Sequence, residues 1–280
     1  MSSKGIIAFD IDGTLTHRLD TIDPRVVSML ERLVASNWQV ALFTGRTFSF
    51  AQRIIKNFHF PYLLAVQNGA DLLEMPNKKL IRRCYLNQKV LPLLEEASKK
   101  EAEDFIIFSG IDHGDFCYFR SDRFSSKMRE YLKIRESLSE APWRNGEFSF
   151  DPEDTFPLIN TFGLKTAMER IQKKIQSLDG VEVSMIKDPV DPIYYLNSIT
   201  HHQANKGEAL RFARDHYKAL LVIAAGDEQN DLKMLKEADL SIVIEDAPPP
   251  LLKIADILAK TPEKLGIIDA VEEAISRARR

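Results

Sequence analysis

Two aspartates one residue apart, Asp10 and Asp12, close the apolar run Ile6-Ile7-Ala8-Phe9, and two more, Asp227 and Asp231, follow a second apolar run ending at Ala225. Clustered carboxylates repel one another and resist burial, so a site gathering Asp10, Asp12, Asp227 and Asp231 calls for a cation. The set offers oxygen atoms and neither histidine nor cysteine, which suits hard Mg²⁺ better than zinc. Mg²⁺ typically divides its coordination between a carboxylate or two and a substrate phosphate. Lys206 as a point charge, the Thr44 hydroxyl and the backbone N–H groups of Gly13 and Gly45 are suitable phosphate donors. Phosphoryl transfer is the reaction class that uses every part. Within it Asp10 can act as nucleophile, forming an aspartyl-phosphate and splitting the transfer into two steps. Asp12 is near enough to protonate the leaving alkoxide and then deprotonate the attacking water.

Taken singly, each feature has a plainer reading. A pair of aspartates can cap a turn, Thr44-Gly45 can simply close a strand, Asp227 and Asp231 can serve a helix start, and Lys206 can be a solvated lysine. Their combination at the ends of successive elements outweighs these readings. Asp23-Pro24 caps a helix carrying Val26, Val27, Leu30, Leu33 and Val34, and Val40 to Phe43 is a strand broken by Thr44-Gly45-Arg46. A helix with Phe48, Ala51, Ile54, Ile55 and Phe58 leads to a third strand, Tyr62 to Val66, ending at Asn68-Gly69. Strand, helix, strand, helix, strand predicts parallel pairing with right-handed crossovers. In such a sheet ligands bind beyond the carboxyl ends of the strands, where Asp10, Asp12, Thr44, Gly45, Asn68 and Asp227 all fall.

The alternation then stops. A hairpin is expected from 71–74 and 80–86, followed by a helix and the polar stretch 95–104. Apolar segments at 105–109, 116–119, 156–162, 181–185 and 193–196 then alternate with helices, the clearest being 165–178. This middle region reads as a second, α+β domain inserted into the first. The α/β pattern resumes with a helix from Asn205 through Tyr217, a strand 219–225, a helix 229–236, a strand 240–244 and a C-terminal helix from Ile267 to Arg279. The expected domains are residues 1–82 with 190–280, and residues 83–189.

With 280 residues and 44% hydrophobic content the chain can bury a substantial core. A net charge of −3, from 38 basic and 41 acidic residues, implies no field suited to nucleic-acid binding. There are two cysteines, Cys84 and Cys117. No apolar stretch reaches the ~18 residues of a membrane span, and Met1 to Gly5 lacks a signal-peptide pattern, so a reducing cytoplasm without a disulfide is expected. Neither nucleic-acid nor membrane partners are expected, and a monomer and a homodimer are equally compatible with the sequence.

Asp10-Ile11-Asp12-Gly13-Thr14-Leu15, Thr44-Gly45-Arg46, Lys206-Gly207 and Gly226-Asp227-Glu228-Gln229-Asn230-Asp231 resemble, in order, the four motifs of the haloacid dehalogenase-like (HAD) hydrolases. The aspartate pair is similar to that of the phosphatases and phosphomutases. The form of the last motif and the large insert resemble the Cof-type, type-IIB branch, which includes sugar-phosphate phosphatases. The resemblance implies a Rossmann-like parallel-sheet core with an inserted α+β cap domain of C2 type that closes over the site. It implies Thr44 and Lys206 as phosphate binders and Mg²⁺ held by Asp10, the Asp12 carbonyl and Asp227. Asp231 would orient the metal shell or Lys206, Asn230 and Gly45 would add phosphate contacts, and Arg46 and Asn68 would lie near the cap entrance. The substrate would be a small phosphate ester. Ala141 to Pro157, rich in Pro, Trp and acidic residues, departs from the usual pattern, and His201 and His202 read as a surface pair, with a substrate contact as the alternative. A phosphomutase of the phosphomannomutase kind would use the same residues. Receiver-type signalling modules share an acidic pair, Thr and Lys, but are far shorter and lack the insert and the second aspartate.

Overall fold

The computed structural model describes residues 4–17, 21–139, 142–188 and 190–278; the expected limits at Ala141, Pro189 and Arg279 lie outside them. The first strand, β1 (Ile6–Asp10), is entirely buried, as an all-apolar run in the middle of a parallel sheet must be. The chain continues through α1 (Pro24–Ala35) to β2 (Gln39–Phe43), through α2 (Phe48–Ile55) to β3 (Tyr62–Val66), and into a hairpin of β4 (Asp71–Met75) and β5 (Lys79–Arg83). Helix α1 starts where Asp23 accepts the Arg25 N–H at 2.9 Å and Pro24 fills the first helical position, and it buries Val26, Met29, Leu30 and Leu33. Asp23→Ala should therefore lower stability by about 1 kcal/mol, read as a small drop in Tm, with activity retained.

The middle of the chain supplies β6 (Leu86–Asn87), α3 (Val90–Ser98), β7 (Phe105–Phe108), β8 (Cys117–Phe119), α4 (Ser126–Ser137), β9 (Trp143–Asn145), β10 (Thr155–Phe156), β11 (Leu158–Gly163), α5 (Lys165–Ile175), β12 (Val181–Lys187) and β13 (Tyr195–His201). Then come α6 (Lys206–Tyr217), β14 (Val222–Gly226), α7 (Leu232–Glu237), β15 (Leu240–Ile244), α8 (Pro249–Leu252), β16 (Ile257–Ala259) and α9 (Gly266–Ala278).

The chain divides into two compact units, one formed by 1–46, 53–82 and 205–280, the other by 47–52 and 83–204. The first holds an eight-stranded sheet in the order β16-β15-β14-β1-β2-β3-β4-β5, parallel from β16 to β3 and antiparallel from β3 to β4. Winding proceeds outward from β1 to β2 and β3 on one side, and from β14 to β15 and β16 on the other. The strand order reverses at β1, so Asp10 stands at the switch point of the sheet. Register keeps the ends level: Ala8 lies beside Ala41 and Ala224, and Phe9 beside Leu42 and Ala225.

The second unit carries a six-stranded sheet, β12-β13-β11-β7-β8-β9, and the short pair β10-β6. Apolar layers form on both faces: Leu94, Ile171 and Ile175 from α3 and α5 pack with Ile107, Ile159 and Ile199, while Met128 and Leu132 from α4 pack with Ile106, Leu158 and Leu196.

Three boundaries differ from the sequence expectation. The second unit runs to Ala204 because β13 sits between β12 and β11 in its sheet, pairing along the full length of β12. Residues 47–52 group with it as well. The hairpin strand stops at Arg83, and Leu86 pairs with Phe156 instead.

Candidate active site

Four loops, after β14, β1, β2 and β3, leave the carboxyl edge of the first unit's sheet side by side. After β1, Ile11 N–H donates to Phe43 O at 3.1 Å and Gly13 N–H to Thr16 O at 2.7 Å, folding the chain back on itself. The Gly13 N–H, expected as a phosphate donor, is thus spent on this turn. Gly13 has φ +88°, and a Cβ there would stand 2.1 Å from Asp227 Oδ2, so no other residue lets the two loops meet. Thr14, in the same loop, donates its hydroxyl to Asp227 Oδ1 at 2.8 Å.

Lys206 opens α6, whose preceding Asn205 accepts the Glu208 N–H at 3.0 Å. Its side chain is 2% exposed and its Nζ lies between Asp10 Oδ1 and Asp231 Oδ1, the latter at 2.6 Å. Asp231 is wholly buried, and its other oxygen accepts the N–H groups of Asp227 and Glu228, each at 3.0 Å. Its approach requires Gly226, where a Cβ would come within 2.6 Å of the Asp231 Cβ. Oxygens of Asp10, Asp227 and Asp231 fall within 4.8 Å of one another.

One ammonium among three carboxylates leaves an excess of negative charge. Burial, then the charge of Asp231, raise the Asp10 pKa well above the usual carboxylate range despite the pull of Lys206. Burial and Asp231 push Asp227 up to about 7, against the hydrogen bond from Thr14. Burial alone would lower the Lys206 pKa, but Asp10 and Asp231 outweigh it, and the ammonium is held charged.

Asp12 stands apart from the trio. Its carboxylate accepts the Thr44 hydroxyl at 3.2 Å and Arg46 Nε at 3.0 and 3.1 Å, with Arg46 Nη2 closer still. Thr44 Oγ1 in turn accepts the Arg46 N–H at 3.1 Å. The guanidinium is buried while the Asp12 side chain remains 42% exposed, so the carboxylate is held from one side and open on the other. At the end of β3, Gln67 and Asn68 take left-handed backbone angles, and Asn68 Oδ1 accepts Asn230 Nδ2 at 3.1 Å while lying close to Gly45. The structure therefore joins Asp10, Lys206, Asp227 and Asp231 in one cluster, Asp12, Thr44 and Arg46 in a second, and Gly45, Asn68 and Asn230 in a third.

Against protein-family models, residues 7–271 match the haloacid dehalogenase-like hydrolase family. The chain belongs to the haloacid dehalogenase-like hydrolases. Among curated HAD relatives, the phosphoglycolate phosphatase of Archaeoglobus fulgidus is 23% identical over 273 residues, 95% of each chain. The 5-amino-6-(5-phospho-D-ribitylamino)uracil phosphatase of Bacillus subtilis is 21% identical over 268 residues, 95% of this chain and 94% of its own. Among solved structures, the HAD subclass IIB sugar phosphatase BT4131 superposes with a TM-score of 0.74 at 18% identity, covering 96% of this chain and 98% of that one. The chain has the parallel-sheet core and inserted α+β unit of these HAD enzymes and is a hydrolase of that family. No helix among the described residues is long and apolar enough to cross a membrane.

Residue-by-residue reading of this HAD hydrolase misses Thr14. Its position in the Asp12-Gly13-Thr14 run is visible, but its partner Asp227 lies 213 residues away. The surface pair also needs correcting: His202 is exposed, whereas His201 is half-buried and bonds Cys84. Both cysteines are free thiols.

Proposed function

We propose that this HAD hydrolase removes the phosphoryl group from a small phosphorylated metabolite, a sugar phosphate, with Mg²⁺ bound at Asp10, Asp227 and the Asp12 carbonyl. The observation that supports this reading is the cluster of the buried Asp10 and Asp231 and the partly buried Asp227 around Lys206 at the switch point of the sheet. Its donors are oxygens alone, and the Asp10 and Asp227 pKa values are raised by burial and then by the neighbouring Asp231 carboxylate, as suits a site made for a hard divalent cation. When bound, the ion would neutralise that charge and polarise the phosphoryl oxygens. Asp10 attacks phosphorus, the ester oxygen leaves with a proton from Asp12, and a water that gives its proton to Asp12 then hydrolyses the aspartyl-phosphate. Lys206, pinned by Asp231, keeps Asp10 oriented and offsets charge in the transition state. Arg46 and Thr44 fix Asp12, and Gly45 and Asn230 would add phosphate contacts.

The test is a panel of phosphomonoesters with Mg²⁺, followed by release of inorganic phosphate. Phosphate release abolished by a chelator and restored by Mg²⁺ is expected. Silence across the panel overturns the reading, and an isomerised sugar phosphate without phosphate release replaces it by the mutase reading. Asp12→Asn should lose most turnover and leave phosphoryl-enzyme on the protein after acid quenching; unchanged turnover removes its proton-transfer role.

The raised pKa values also predict a pH dependence of folding. Between about pH 4 and pH 7 the cation-free folded protein keeps on Asp227 a proton that the unfolded chain has released, so stability falls as pH rises through this window. Thermal melts in chelator should show a lower Tm at pH 7.5 than at pH 5.5, holding all else fixed, and added Mg²⁺ should raise Tm more at the higher pH. A Mg²⁺ response equal at both pH values would refute this account.

A further inference from the structure

We propose that Cys84 is a modification site, a thiol activated by His201 that takes up small disulfides. Cys84 follows β5 and its Sγ lies 3.0 Å from His201 Nδ1 at the end of β13. The same Nδ1 accepts the backbone N–H of Gln203 at 3.2 Å. An amide N–H can only donate, so Nδ1 carries the lone pair and Nε2 the proton, and a thiol donating to Nδ1 shares that lone pair with the Gln203 N–H. A thiol whose proton points at an imidazole lone pair is the geometry of an activated sulfur nucleophile. His201 is held in place by its strand pairing with Val181 and by the His202 ring, 4.4 Å away between centroids.

Cys84 is only partly buried. Cys117 supplies the contrast, since it is 2% exposed and burial pushes its thiol pKa well up. Neither residue has a part in the phosphatase reading. In the reaction, Cys84 gives its proton to His201 Nδ1 as its sulfur attacks one sulfur of the disulfide. A new S–S bond forms to Cys84, the old one breaks, and the departing thiolate takes up the proton. The Cys84 sulfur is oxidised and the leaving sulfur reduced, so no other oxidant is needed. The adduct removes the hydrogen bond that ties the segment entering the second unit to the strand leaving it.

The test treats the full chain with oxidised glutathione and follows mixed-disulfide formation at each cysteine by intact mass and peptide mapping. In the native protein Cys84 should react at least about tenfold faster than Cys117, and faster than Cys84 itself in urea, where the pair is lost. His201→Gln, which keeps a hydrogen-bond acceptor but no basic nitrogen, should slow Cys84 about tenfold at neutral pH and leave Cys117 unchanged. Cys84 reacting more slowly in the native protein than in urea, or at an unchanged rate in His201→Gln, overturns the proposal. The urea comparison needs no variant to fold.

Discussion

Asp10→Asn is expected to lower turnover on phosphomonoesters by about a thousandfold or more, the scale of losing a covalent nucleophile. The substitution is nearly isosteric, so the carboxamide keeps an oxygen for the Lys206 ammonium but cannot form the aspartyl-phosphate. It should not cost stability. In the cation-free protein the charged form of Asp10 is disfavoured by its burial and by Asp231, and the amide removes one of three crowded negative charges. The variant should therefore melt at or above the wild-type Tm in chelator. It should also lose part of the Mg²⁺-induced rise in Tm, because one of the ligands has gone. Steady-state kinetics and melts with and without Mg²⁺ check all three outcomes. Full turnover by Asp10→Asn would eliminate covalent catalysis by this residue. A lowered Tm in chelator would contradict the electrostatic account while leaving the chemistry standing.

The parts of the site that are legible in the sequence are those fixed by local physics. Ile6 to Phe9 is apolar without interruption, so β1 has to be central and buried, and its end has to carry Asp10 to an edge. The runs 62–66 and 240–244 are equally plain, and both match the observed strands residue for residue. Asn205 and Lys206 fall at a helix start by the same reasoning. Long-range pairing is not legible. Nothing local to Arg46 says that its guanidinium ends on Asp12 rather than on a substrate, and nothing local to Thr14 points to Asp227. The edge of the second unit is set too early because only the start of β13 reads as apolar: its Asn197 is polar yet fully enclosed, donating to Met168 O at 3.0 Å and Thr161 Oγ1 at 3.2 Å. Strand β16 and helix α8 are too short for any period to show.

Lys206→Met should damage folding and activity together, and the pH dependence separates its two roles. The methionine fills much of the lysine's volume but leaves Asp10 and Asp231 buried without their cation. Removing one partner of a buried ion pair costs about 3–5 kcal/mol, far more than the pair itself is worth against an apolar replacement. For a chain of this size that amounts to a drop in Tm on the order of 10 °C. The sign with pH follows from which group is left. Lys206 is charged throughout the neutral range, and its raised pKa means that its contribution to stability is lost only in strong base. In the variant the penalty lies instead on the Asp10 carboxylate, which a proton relieves, so the Tm deficit should be largest near pH 8 and shrink toward pH 5. Turnover should fall by a further factor of about 10²–10³ even where the variant is folded, because the ammonium that offsets transition-state charge is absent. Mg²⁺ should recover part of the stability, since a divalent ion supplies the charge the buried carboxylates lack, but little of the turnover. A deficit in Tm that is the same at pH 5 and pH 8 would mean that Lys206 acts through packing. Equal rescue of Tm and turnover by Mg²⁺ would mean that its ammonium has no part of its own in the chemistry.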